Sequence, residues 1–185
     1  MVRPGTKAYV DYAACAWAFL FALPSFYWAA GGTAGTGLLS PEISNMAHEP
    51  GFIAVVWITG LLKVFAGLVA LALVLPLGRR VPSRLLLLLA WGGGTLLLGH
   101  GLSFLGLGGL ALLGMIPVSS ALPRAVLESY TYVWGPWFAL GGFLFMLAAW
   151  FYWRGLPNRR SGFGPSILGV LGGLLATAAL LVTSL

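Results

Sequence analysis

Long apolar runs separated by short polar turns dominate the chain. A helix needs about 20 apolar residues to cross a bilayer, and each run reaches that length. The pattern predicts four core spans at about residues 8–30, 52–77, 85–105 and 131–153, within a membrane core over 1–160, and an additional C-terminal transmembrane helix in 161–185. The fold class that it indicates is all-α, a polytopic integral membrane helical bundle.

The composition removes soluble globular domains from consideration. Hydrophobic residues make up 59% of the chain and charged residues only 8%, and the mean hydropathy is +0.95. The net charge of +6 does not indicate a nucleic-acid partner, because the basic residues lie in short clusters at the ends of apolar runs, where they orient membrane helices. We therefore expect membrane lipids around the protein and no nucleic acid.

The basic clusters predict the direction of each span. Under the positive-inside rule, eight of the ten lysine and arginine residues mark cytoplasmic ends: Arg3, Lys7, Arg79, Arg80, Arg84, Arg154, Arg159 and Arg160. Arg124 lies in a connection on the other side, and Lys63 lies inside a span. We expect the cell (inner or plasma) membrane, a cytoplasmic N-terminus and an extracytoplasmic C-terminus.

Three local expectations concern irregular segments. Pro24 should kink the first span, because its ring clashes with the preceding turn and it lacks a backbone donor. Ser40-Pro41-Glu42 is typical of a helix start, so residues 41–48 are expected to form a short surface helix. The third run is longer than one perpendicular helix needs, so we end its span near Leu105 and expect a re-entrant or interfacial segment over 106–116.

One ammonium group, that of Lys63, lies near the middle of the second apolar run. A central lysine costs about 2.5–3.5 kcal/mol on insertion scales, so we expect it to face protein rather than lipid. Its neighbours on the same helix face are small, which is typical of a face that another helix approaches closely. They are Thr59, Gly60, Ala66, Gly67 and Ala70.

Lys63 and His100 are predicted to lie at the same depth. Lys63 precedes Gly78 by 15 residues and His100 follows Leu85 by 15 residues. Gly78 and Leu85 lie at the predicted cytoplasmic ends of the two spans, so each side chain is about 22 Å from the cytoplasmic end of its helix. A short turn joins their spans, which predicts antiparallel neighbours and one shared cavity. There, Lys63 or His100 could exchange a proton with a buried substrate, which makes both candidate catalytic residues. In the alternative, Lys63 bonds to carbonyls of the kinked first helix, His100 bonds to Ser103 or to backbone, and both only fix packing.

A second candidate set is aromatic and lies at the outer ends of the first and fourth spans. With Glu42 or Glu128 above them, the rings could line an outward-opening pocket for an apolar or cationic ligand. Glu42 is then a third candidate catalytic residue, and Thr59 is a further candidate for ligand binding. In the alternative, the rings form an interfacial aromatic belt. The aromatic candidates for ligand binding are Tyr27, Trp28, Trp134 and Trp137.

The chain offers little to a metal or a cofactor. Met46 and His48 are too few for a metal site, which normally has three or four ligands. The glycine clusters lack the spacing of a phosphate-binding loop. We expect neither a metal nor a cofactor.

Three stretches carry a family resemblance: SFYWAAGGTAG at residues 25–35, WITGLLKV at 57–64, and WGPW at 134–137 followed by Gly141 and Gly142. In these stretches, the chain resembles a family of small bacterial membrane proteins, common in actinobacteria, that is known as domain of unknown function 3995. The resemblance covers about residues 12–154. It implies four core helices and no established activity, with the fifth span as an addition to the core.

Three hypotheses for the function stay open. In the first, the bundle binds a small lipid-like or isoprenoid-like molecule between its helices. If it is an enzyme, it catalyses a proton-assisted isomerisation or cyclisation, because aromatic faces stabilise developing cations. In the second, Lys63 serves a proton-linked small-molecule transporter or exporter. In the third, the protein is an accessory subunit of a larger membrane complex. Its glycine-rich faces, which include Gly169 and Gly173, would dock that complex or a second copy of the chain.

Overall fold

The fold is all-α in the part of the chain that the computed structural model describes, residues 5–39, 41–46, 48–75, 80–119 and 122–183. Five helical segments there are long and apolar enough to cross a membrane. The elements in chain order are α1 (Thr6–Ala29), a 3₁₀ turn (Thr36–Leu38), α2 (Pro41–Met46), α3 (Pro50–Val74), α4 (Ser83–Leu112), α5 (Arg124–Ser129), a π-helical turn (Tyr130–Trp134), α6 (Gly135–Arg154) and α7 (Arg160–Thr183). The predicted fold class is confirmed.

Prolines lie at the starts of α2 and α3 and inside α1. Pro50 begins α3 at a position where its missing N–H is not needed. Pro24 lies inside α1, which nevertheless continues to Ala29. The short surface helix that was expected over 41–48 is α2 and ends at Met46.

The helix was expected to end near Leu105, but α4 continues without a break to Leu112, so the first seven residues of the segment 106–116 belong to it and the predicted helix end was wrong. The 30 residues of α4 span about 45 Å, more than the hydrocarbon thickness of about 30 Å. Glycines weaken an isolated helix, but Gly101 and Gly108 are buried against the following helix, and this packing compensates. A turn at Gly114, with φ of +72°, follows the helix end.

The fourth span begins earlier than residue 131, because α5, the π-helical turn and α6 form one continuous helical segment, Arg124–Arg154. The backbone N–H of Gly135 donates to the carbonyl of Tyr130, five residues earlier. Pro136 follows directly and has no N–H to donate. The wider π-helical turn therefore lies where the proline interrupts the backbone hydrogen bonds of the regular α-helix.

Glycines set the closest helix contacts in the bundle. Gly94, Gly101 and Gly108 of α4 recur every seven residues and face α6 and the turn before it, where Gly135 and Gly142 let the two backbones approach. On another face of α4, Gly92 meets Gly169 and Gly173 of α7. The predicted Gly-x-x-x-Gly pair is thus used inside the chain, and a partner on this face would have to compete with α4.

The packing order differs from the chain order. Helix α1 packs mainly against α3 and secondarily against α6, whereas α4 packs against α6 and α7. Helices α3 and α4 are consecutive spans joined by a short turn, yet they contact each other only sparsely. A gap therefore remains between α3 on one side and α4 with α7 on the other.

Candidate functional site

Small residues on α3 position Lys63 toward α1. The ring of Phe26 packs on Gly60 and the ring of Phe19 packs on Gly67, so these two α1 side chains fit into depressions about two turns apart on one face of α3. Lys63 lies between the two glycines on the same face. The side chain is only partly exposed and points to protein, as its small neighbours predicted.

Two neutral groups of α1 hold the ammonium of Lys63. Its Nζ donates a hydrogen bond of 2.8 Å to Oγ of Ser25, a residue that is 2% exposed. The same nitrogen lies 3.7 Å from the centre of the Phe21 ring, which is the geometry of a cation–π contact. Ser25 follows Pro24, so the bond forms close to the interrupted helix ladder that had been expected to attract the lysine.

The described carboxylates lie far from this ammonium or have another partner. Asp11 precedes Ser25 by 14 residues along α1, and Glu49 precedes Lys63 by 14 residues along α3, which is about 21 Å in each case. Glu128 accepts a 2.8 Å ion-pair bond from Arg124 on an exposed helix face. The side chain of Glu42, the third candidate catalytic residue, lies outside the described part of the structure. Among described residues, Lys63 has no acidic partner.

A groove of about 580 Å³ adjoins Lys63 in the gap between α3 and α7. Its rim residues Leu62, Phe65 and Leu168 are exposed, so the groove opens sideways onto the apolar flank of the bundle. Thr59 also lines it, and its hydroxyl donates to the carbonyl of Val56. Apart from Lys63 and Thr59, the lining is glycine and apolar or aromatic side chains: Trp17, Phe21, Leu62, Phe65, Ala66, Val69, Leu88, Leu89, Gly92, Gly93, Leu96, Leu97, Phe138, Phe145, Leu168, Gly169, Gly172, Gly173 and Ala176.

The structure does not bring His100 into this groove with Lys63. The imidazole lies 4.4 Å from the Phe104 ring and 4.8 Å from the Phe138 ring, centre to centre. Phe138 lines the groove and lies 5.0 Å from Phe21, so two rings separate the histidine from the ammonium. Nδ1 of His100 is buried without a hydrogen-bond partner among the described residues. The sparse contact between α3 and α4 explains the separation.

The aromatic candidates form packing contacts. Nε1 of Trp28 donates to the carbonyl of Ala34 at 2.9 Å, and the N–H of Ala34 donates to the Tyr27 hydroxyl at 3.3 Å, so these two side chains brace the loop after α1. Trp134 contacts Trp28, with ring centres 6.3 Å apart. Trp137 accepts a 3.1 Å bond at its carbonyl from Nε1 of Trp17 in the core. None of the four lines the groove at Lys63 or the smaller cavity beside α7.

Sequence reasoning missed several residues of the site. Phe21 and Phe138 shape it, and Ser25 holds the ammonium, but an apolar span full of aromatics offers no local signal that singles them out. Asp11 is a second surprise: it is fully buried, and both carboxylate oxygens lack a hydrogen-bond partner among described residues. Lys7, one turn earlier on α1, acts electrostatically on Asp11, and its ammonium lies over the Tyr152 ring.

A smaller cavity of about 240 Å³ lies between α4, α6 and α7, on another face of α7. Trp91, Trp150 and Trp153 line it together with apolar residues of α7 and Ser166. The Ser166 hydroxyl donates to the carbonyl of Gly162 within its own helix, and no charged side chain lines this cavity among the described residues. The groove at Lys63 is therefore the stronger candidate site.

Comparison with known proteins gives one match. The model of a family described as protein of unknown function (DUF3995) matches residues 18–145, from within α1 to within α6, and leaves α7 outside. Neither the curated proteins nor the solved structures give a match. The resemblance noted in the sequence is confirmed, and it assigns no activity to any residue.

Proposed function

We propose that this chain, which belongs to the DUF3995 family of proteins of unknown function, binds a small lipid-like or isoprenoid-like molecule in the groove between α3 and α7. The observation that carries the proposal is the groove itself, an apolar space of about 580 Å³ with Lys63 and Thr59 as its polar lining. Its size falls within the range of about 300–1,000 Å³ that small-molecule sites occupy.

The position of the opening supports an apolar ligand. The rim at Leu62, Phe65 and Leu168 faces the apolar flank of the bundle, so a ligand dissolved in the membrane could enter sideways. Within a bilayer, apolar surface alone gives little preference for protein over lipid, and selectivity comes from close packing and polar contacts. Lys63 is the group that can supply such a contact here.

A catalytic role is the second candidate, favoured by the rings of Trp17, Phe21 and Phe138 along the same groove. In a proton-assisted isomerisation or cyclisation, the Lys63 ammonium would transfer a proton to one carbon of a substrate double bond. The neutral amine would then take a proton from a carbon next to the cationic centre, which forms the new double bond and restores the ammonium. Aromatic faces stabilise such a cation. A proton-linked transporter would also use Lys63, but the described groove offers only one further polar side chain, Thr59, to guide a proton.

The membrane and the orientation are part of the same proposal. Lys7, Arg80, Arg84 and Arg154 lie at the end of the bundle where α1, α4 and α7 begin, and we call this the basic end. The positive-inside rule supports placing it in the cytoplasm of a cell with the protein in its plasma membrane. The N-terminus would then be cytoplasmic and the C-terminus extracytoplasmic.

A pair of matched glycine variants on α4 tests the binding site. Gly93 lines the groove and Gly106 does not, and a Cβ at either position meets open space. We expect Gly93→Leu to fill the groove and to remove most of a co-purifying small molecule, whereas Gly106→Leu retains it. Native mass spectrometry of gently extracted protein, followed by lipid extraction, measures the retained ligand.

Two results would contradict the proposal. One is wild-type protein that carries no small molecule and takes none up from a lipid extract. The other is Gly93→Leu with the same bound molecule, in the same amount, as Gly106→Leu. Both glycines gain the same side chain on the same helix, so a difference between the variants reports the groove rather than helix propensity.

A further inference from the structure

We infer that the ligand of the groove is a single-chain amphiphile with an anionic head group, which pairs with the ammonium of Lys63. The inference rests on the proposed function and names the chemical class of the ligand. Three features of the site carry it: the missing counter-charge, the polar group near one end of the groove, and the occupied ring face.

The charge of Lys63 has no counter-ion in the described protein. Its bonded neighbours are a hydroxyl, Ser25, and an aromatic ring, Phe21, both neutral. An ammonium has three N–H donors, and Ser25 accepts one of them. A cation removed from water is stabilised best by an anion that also accepts its remaining hydrogen bonds. A ligand with a carboxylate or phosphate group would supply both.

The groove has a polar part and an apolar part. Its lining on α3 runs from Thr59 to Val69, about 15 Å along the helix axis, with Lys63 close to the Thr59 end. From Lys63 toward the basic end, the lining is apolar on α3, and it is glycine and apolar on α4 and α7. An amphiphile has the same division, with one charged atom group and one apolar chain.

The ring next to Lys63 argues against a cationic ligand. Aromatic faces attract cations, but the Lys63 ammonium, 3.7 Å from the ring centre, already occupies a face of Phe21. A second cation beside it would meet like-charge repulsion in a medium that screens charge poorly. The same field favours an anion.

The test compares three ligands that share one chain: hexadecyl phosphate, palmitate and hexadecanol. Each is titrated into purified protein in neutral phosphatidylcholine nanodiscs, and bound ligand is counted by native mass spectrometry. We expect at least one anion to bind about tenfold more tightly than the alcohol, as a charge-assisted hydrogen bond requires. The preferred anion then tells a phosphate head group from a carboxylate.

Three variants locate that preference. Lys63→Met should bind the anions and the alcohol alike, and Lys63→Arg should keep the preference. Lys7→Met is the matched control, because it removes the same charge from a side chain that lies over Tyr152 at the basic end and does not line the groove. It should keep the wild-type preference.

The outcomes separate the two proposals. Wild-type protein that binds hexadecanol as tightly as both anions overturns the anionic ligand but leaves an apolar site in the groove. A preference that survives in Lys63→Met, or that disappears in Lys7→Met, also overturns it. Wild-type protein that binds none of the three ligands, or Gly93→Leu that binds all of them as wild type does, contradicts the groove as a binding site.

Discussion

Gly101→Ala should lower the free energy of unfolding by about 1–3 kcal/mol, the usual cost of overpacking a close-packed interior. The added Cβ would meet backbone atoms, N of Ala139 and O of Gly135, and backbone cannot move aside as a flexible side chain can. Helices α4 and α6 would have to separate, and these two helices form one of the closest pairs in the bundle. Thermal unfolding in detergent, followed by circular dichroism, measures the loss.

Gly106→Ala is the matched control on the same helix. Its Cβ would meet open space, so only the helix preference of alanine over glycine remains, a gain of about 0.5–1 kcal/mol. The two variants should therefore shift the unfolding temperature in opposite directions. Equal shifts would show that the approach of α4 and α6 at Gly101 does not limit stability.

The second large effect is an asymmetry between the two partners of the hydrogen bond at the groove. Ser25→Ala should cost about 1–3 kcal/mol, because the Lys63 ammonium stays in place without its acceptor. Lys63→Met should leave stability unchanged or raise it, because it removes a half-buried charge that has no counter-ion among the described residues, and burying an unpaired charge is costly. The double variant should have the stability of Lys63→Met, because Ser25 no longer accepts a hydrogen bond from residue 63 once the ammonium is absent. A thermal double-mutant cycle in detergent measures the three variants.

This cycle distinguishes the two interpretations of Lys63. If the lysine only fixes packing, Lys63→Met should destabilise the protein at least as much as Ser25→Ala does. If it is retained for a ligand, the fold should tolerate its removal while the preference for an anionic ligand is lost. If the loss of the lysine stabilises the fold but removes the preference for anions, the lysine is a functional group kept at the expense of stability.

Part of the site could be predicted from the sequence. The stripe from Thr59 to Ala70 indicated that Lys63 faces another helix, and the structure places the rings of Phe19 and Phe26 on that stripe. The prediction succeeded because side chains three, four and seven residues apart on a helix share a face, whatever lies opposite. The shared depth of Lys63 and His100 was argued in the same way, but depth alone says nothing about which faces meet.

The apolar runs were sufficient to determine an all-α bundle with five helices that can cross a membrane, because run length and backbone hydrogen bonding in lipid allow few other structures. Tertiary structure alone decided which helices are neighbours. The contact of Gly101 with Gly135, like the bond from Lys63 to Ser25, joins residues far apart in the chain. These contacts place α3 on α1 and α4 on α6, which opens the groove and leaves His100 behind Phe138. Shape complementarity between distant segments sets that arrangement, and no local pattern encodes it.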